Sequence, residues 1–143
     1  MSSLDAEVIA ANEAFYAAFT RRDGDAMDAL WARRAAVACI HPGRDALRGR
    51  EPVMTSWRAI LASPHAPEIR CAGATAHVAG EMAFVVCHEL IGGGRLVATN
   101  VFVREDGRWK LAHHQAGPLG AEALEDDDDD PDDGEPPPHG ALN

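Results

Sequence analysis

The spacing of hydrophobic positions changes period along this chain. Val8, Ala11, Phe15 and Phe19, with Leu4, recur three or four residues apart, which predicts a helix burying one stripe. Ser2, Ser3 or Asp5 can cap its start, and Asp23-Gly24 ends it. Asp25 caps a second, short helix carrying Met27, Leu30 and Trp31. Val37 to Ile40 is a brief β-like run, stopped by His41-Pro42-Gly43. A third helix is predicted over 51–61, with Pro52 in its first turn, where a missing N–H is harmless. Its apolar side is Val53, Trp57, Ile60 and Leu61, and Ser63-Pro64-His65-Ala66-Pro67 breaks it.

Beyond the break the chain reads as strand to Gly117, in runs 69–78, 82–91 and a final hairpin. Asp106-Gly107 between β-type runs is a strong hairpin signal. With Glu105 opposite Arg108, Phe102 faces Leu111 and Asn100 faces His113. Asn100, Phe102, Trp109, Leu111 and His113 then share one face, and Val101, Val103, Ala112 and His114 share the other. Apolar groups on both faces predict that both are covered. Asn100 and His113, a polar pair in an apolar set, predict a pocket with a few polar groups. The Gly92-Gly93-Gly94 turn takes two, three or four loop residues, and each step flips whether His88 or Glu89 faces inward. Glu89 is favoured, and it needs a partner such as His113 or Arg104. Three helices followed by a four-strand antiparallel meander, with one short early strand, is an α+β pattern. Helices cover one sheet face, so the other predicts a dimer partner.

Composition divides the chain. Of 23 acids, ten lie beyond Ala121 with no Lys or Arg, leaving 13 acids against 13 bases before it. Residues 1–120 therefore read as a near-neutral domain, and 121–143 as a disordered, acidic, Pro-rich tail serving solubility or docking a basic partner. No broad basic field exists for nucleic acid. No apolar run approaches the roughly 18 residues needed to span a bilayer, so no membrane role is expected. Cys39, Cys71 and Cys87 are scattered and form no C-x-x-C pair. Together with an N-terminus lacking a signal pattern, this predicts a cytoplasmic protein.

Several motifs carry a family resemblance over roughly residues 4–118. They are Asn12-x-x-Phe15-Tyr16 with Asp23 and Trp31; Cys39-Ile40-His41-Pro42-Gly43; Leu47-Arg48-Gly49 running into Trp57; and Asn100-Val101-Phe102 with Asp106-Gly107-Arg108-Trp109 and His113-His114. In this order they resemble the nuclear-transport-factor-2-like superfamily, and within it the SnoaL-like and ketosteroid-isomerase-like branch. The resemblance implies a cone of three N-terminal helices packed on a curved, mainly antiparallel sheet. It also implies a conical pocket and a homodimer. The similar isomerases keep a carboxylate before the Pro that follows the first short strand, and here that residue is His41. Their protonated late-strand acid falls near Asn100, and their oxyanion Tyr near Tyr16. These departures change the chemistry, so isomerase activity does not carry over.

The candidates follow from these placements. His41, with an imidazole titrating near neutrality, reads as a general base or as a turn histidine bonded to local backbone. Asn100 reads as a donor to a developing enolate, or as a buried amide satisfied by its neighbours. Tyr16 places a phenol at the pocket or caps the core edge. Trp57, Glu89, Phe102, His113 and Trp31 complete the expected ligand-binding set. No H-x-x-H, H-x-H or C-x-x-C spacing occurs, and the glycine run opens no helix, so neither a metal nor another cofactor is expected. The expected function is binding of a small, mainly apolar organic molecule. Two classes stay open: a cofactor-free isomerase, cyclase or lyase, and a non-catalytic ligand-binding or association domain.

Overall fold

The computed structural model describes residues 2–120; the expected acidic tail lies outside the described residues. Ser2 and Asp5 form a reciprocal capping box that starts α1 (Ser3–Thr20). Asp23, not Asp25, caps α2 (Gly24–Leu30): its carboxylate accepts from Ala26 N–H, while Asp25 sits in the first turn. β1 (Ala38–Ile40) and the two-residue β2 (Leu47–Arg48) follow. Gly49, at φ 89°, holds a left-handed conformation that turns the chain into α3 (Arg50–Ala62). Then come β3 (Ile69–Ala79), β4 (Met82–Ile91), β5 (Gly94–Glu105) and β6 (Arg108–Pro118). Three helices thus pack on one six-stranded sheet of order β2-β1-β6-β5-β4-β3. All its neighbouring strands are antiparallel except β1 and β6, which run parallel.

Two turns set the registers. Asp106 (φ 54°) and Gly107 (φ 76°) both occupy the left-handed region that a two-residue hairpin of this twist needs. Ile91 pairs with Gly94, so the loop is Gly92-Gly93 alone, and Glu89 faces inward. The predicted β5–β6 register holds through Phe102–Leu111 and then slips: Val101 pairs with His113 and Asn100 with His114. Ala112 is the extra residue of a β-bulge. The bulge lies where β6 changes its outer neighbour. Leu111 C=O accepts from Ala32 N–H, whereas His113 to Gln115 pair with β1.

The core between helices and sheet gathers Phe15, Met27, Trp31, Trp57, Val85, Phe102 and Leu111. The stripe of α1 is rotated from the one expected: Leu4 is exposed, and Asn12 is fully buried beside Val8 and Phe15. At the far end of β5, Glu105 accepts backbone N–H bonds from Arg33, Arg34 and Ala35 at 2.9, 2.9 and 2.8 Å. These bonds hold its carboxyl below the usual carboxylate range and pin the loop after α2. Charge-assisted bonds of this kind contribute about 1.5–3 kcal/mol each, and three on one carboxylate do not add in full. Glu105→Ala is therefore expected to lower stability by about 3 kcal/mol in urea unfolding. A loss below about 1 kcal/mol would mean that water replaces the carboxylate.

Candidate functional site

A cavity of about 190 Å³ opens between α1, α3 and the inner sheet face. Phe15, Phe19, Trp57, Ile60, Ile69, Ile91 and Leu96 form its apolar wall, with Pro42, Arg44 and Pro67 from the flanking loops. Arg22, just past α1, donates to the Ser63 and Ala66 carbonyls and so holds the loop that carries Pro67. Tyr16, His41, Glu89 and His114 supply the polar lining.

Three of these groups belong to one hydrogen-bonded network. Tyr16 O–H donates to Glu89 Oε2 at 2.6 Å. Asn100 Nδ2 donates to Asn12 Oδ1 at 2.8 Å and to Tyr16 Oη at 3.1 Å. Asn100 Oδ1 lies 2.5 Å from His114 Nδ1, and Asn12 Nδ2 donates to Cys71 Sγ at 3.5 Å. An amide oxygen can only accept, so His114 carries its proton on Nδ1 and leaves Nε2 bare. Cys87 Sγ lies 3.3 Å from Tyr16 Oη. The phenol proton goes to Glu89, so the thiol donates there.

Burial sets the charge states. His114 is buried beside two other histidines, and burial pulls its pKa down to about 3, so it is neutral. Burial raises the Glu89 carboxyl, and the Tyr16 bond partly opposes that rise. Burial, then the Glu89 charge, pushes the Tyr16 phenol far above its ordinary value. The Cys39 thiol is pushed up to about 12 by burial. His41 is held below its usual value by burial and by the Arg44 guanidinium. Its Nε2 lies 2.9 Å from Ser56 Oγ and 3.7 Å from Cys39 Sγ. Its ring meets Trp57 edge-on at 5.0 Å, and Trp57 also packs against Phe15 and His114.

Residues 8–119 match the SnoaL-like domain family. The chain belongs to that family. A Streptomyces avermitilis structure, provisionally assigned as a dehydratase of the NTF2-like family, is 33% identical. That match covers 83% of this chain and 98% of the other, with a TM-score of 0.76. A Thiobacillus denitrificans structure, provisionally assigned as a calcium/calmodulin-dependent protein kinase type II association domain, is 34% identical. It covers 78% of this chain and 94% of its own, with a TM-score of 0.69. The F-box protein SKIP8 of Arabidopsis thaliana is 27% identical over 111 residues. This chain spans about half of that protein's length, since the match covers 48% of it and 76% of this chain. The SnoaL-like family and its structural neighbours thus include enzyme-type and association-type members.

Within this SnoaL-like cone, Tyr16, His41, Trp57 and Glu89 of the expected set line the cavity. Asn100 lies beneath it, fully buried, with both N–H groups engaged by Asn12 and Tyr16. An oxyanion role for Asn100 would therefore require it to leave two partners. His113 is a correction: the bulge at Ala112 turns it to the outer face opposite Val101, and His114 takes the inner place beside Asn100. Phe102 and Trp31 are core residues outside the cavity lining, Phe102 on the inner sheet face and Trp31 bridged to Leu111. The anticipated partners of Glu89, His113 or Arg104, are replaced by Tyr16; Arg104 instead pairs with Glu7 at 2.8 Å. Asn12, Ser56 and His114 escaped assignment. For Asn12 a signal existed, since it falls four residues after Val8 on the buried stripe.

Proposed function

We propose that this SnoaL-like chain binds a compact, mainly apolar organic molecule in the cone. On this reading it acts there as a cofactor-free isomerase, cyclase or lyase with His41 as general base. The observation that carries the reading is His41 itself, an imidazole at the wall of an apolar cavity and depressed by burial and Arg44. Such a group is unprotonated at neutral pH and can take a proton from a bound carbon acid. In the tautomer where Nε2–H donates to Ser56 Oγ, Nδ1 is the accepting atom. Similarity to the Streptomyces protein favours elimination among these chemistries. Thermal-shift screening of small ring compounds is expected to yield stabilising hits in wild type that Leu96→Trp, which fills the cavity, no longer binds. Hits that stabilise both proteins equally would place binding elsewhere.

A second reading, an association domain, has its own support. Met82, Phe84 and Val97 are exposed on the outer sheet face at 47%, 40% and 38%. The 34% identity to an association-type protein agrees with this. Both readings include a homodimer through that face. Val101→Asp is expected to shift sedimentation from dimer to monomer before the subunit unfolds. A wild-type monomer at micromolar concentration would contradict the dimer.

A further inference from the structure

We propose that the cavity selects a ligand whose inner end is a hydroxyl, because the floor of the cone offers hydrogen-bond acceptors and no free donor. This rests on the reading of the cone as a small-molecule site and adds the polarity of the ligand's buried end.

Every proton in the floor network has a defined acceptor. The Cys71 thiol donates to Cys87, so its sulfur accepts from Asn12 Nδ2 and Asn12 Oδ1 is the end that meets Asn100. One Asn100 Nδ2 hydrogen goes to that oxygen and the other to Tyr16 Oη. The Tyr16 hydrogen goes to Glu89 Oε2, and the His114 Nδ1 hydrogen goes to Asn100 Oδ1. Each assignment forces the next, and the sequence is self-consistent. With Glu89 ionised, the form that the Tyr16 O–H bond favours, two polar atoms remain open: Glu89 Oε1 and His114 Nε2, both acceptors. Glu89 Oε2 and His114 Nε2 stand 3.9 Å apart, and neither ring nitrogen is left to donate there. Glu89 is 2% exposed and His114 3%, so both lie at the buried end. The exposed Arg44 lies at the other. The Trp57 indole N–H is sealed from the cavity surface and turned toward the Cys39 thiol, so it supplies no donor at this floor.

A buried carboxylate with a single donor is under-satisfied, and a second donor stabilises it. A ligand hydroxyl placed against Glu89 provides one. A carbonyl or ether oxygen there would oppose two acceptors. The cavity, at about 190 Å³, lies below the roughly 300–1,000 Å³ common for drug-sized ligands, which favours one or two fused rings.

The test compares 1-indanol, 1-indanone and 1-methoxyindane, which share a skeleton and differ in the donor. Calorimetry on the wild-type chain is expected to give the alcohol an affinity about tenfold or more above the other two. Glu89→Gln, whose amide donates as well as accepts, is expected to bring the three within about twofold. Carbon-13 labelling of glutamate carboxyls gives a readout in the unmutated protein: the Glu89 signal should move with the alcohol and not with the ether. Equal affinities in wild type, with all three lost in Leu96→Trp, would overturn the hydroxyl preference and leave the small-molecule reading standing. If only a different ring compound binds in the cone, its alcohol form must outbind its ketone form, and equal affinities there overturn the hydroxyl preference. If no compound binds in the cone at all, the small-molecule reading fails and this inference fails with it.

Discussion

Asn100→Ala is expected to destabilise the chain by about 3–5 kcal/mol, more than any surface change, although Asn100 is not in the cavity wall. The side chain is 0% exposed and joins β5 to α1 and β6 through Asn12, Tyr16 and His114. Truncation removes three hydrogen bonds and leaves the Asn12 oxygen and the His114 Nδ1–H buried without partners. Each such orphan costs about 1–3 kcal/mol, and the lost volume adds a cavity term. Urea unfolding measures the total. A loss below about 1.5 kcal/mol would mean that water enters and restores the network.

His41→Ala is expected to lower turnover of a cavity-bound substrate by about 10²- to 10⁴-fold, the usual contribution of a general base. Its pH dependence has a defined sign. The imidazole accepts a proton only when neutral, so activity falls as pH drops through its pKa. Burial and Arg44 place that value below the ordinary 6.5, with Cys39, Ser56 and His114 the other polar groups around it. The wild-type rate should therefore be flat across neutral pH and fall only on the acid side. Arg44→Gln removes one depressing influence and should move that acid limb upward. The same change should leave the fold intact, since the Arg44 side chain is exposed.

The strongest signals in the sequence were those tied to a single local geometry. Asp106-Gly107 permits the two left-handed residues the last hairpin uses, and its first four pairs follow directly. Glu89 points inward because the glycine run makes a two-residue loop, which a choice among loop lengths had left open. The slip at Ala112 had no such mark. No Gly or Pro sits there, and the cause is tertiary: β6 bonds Ala32 on one side of the bulge and β1 on the other. One inserted residue then exchanged His113 for His114 and changed which imidazole the network contains. β2, at two residues, is too short to carry a period. The wall residues Ile69, Ile91 and Leu96 are ordinary strand positions in sequence. Only the folded sheet brings them around one cavity.

On the proposed reading, the cone holds a small molecule against His41 as base. The most direct measurement is the pH profile of kcat/KM, for a compound shown to occupy the cavity, in wild type and His41→Ala. The expected result is a wild-type rate that declines only below about pH 6.5 and a variant rate at least a hundredfold lower with that limb gone. Equal rates in the two proteins, or a compound that binds tightly and is never turned over, would contradict it.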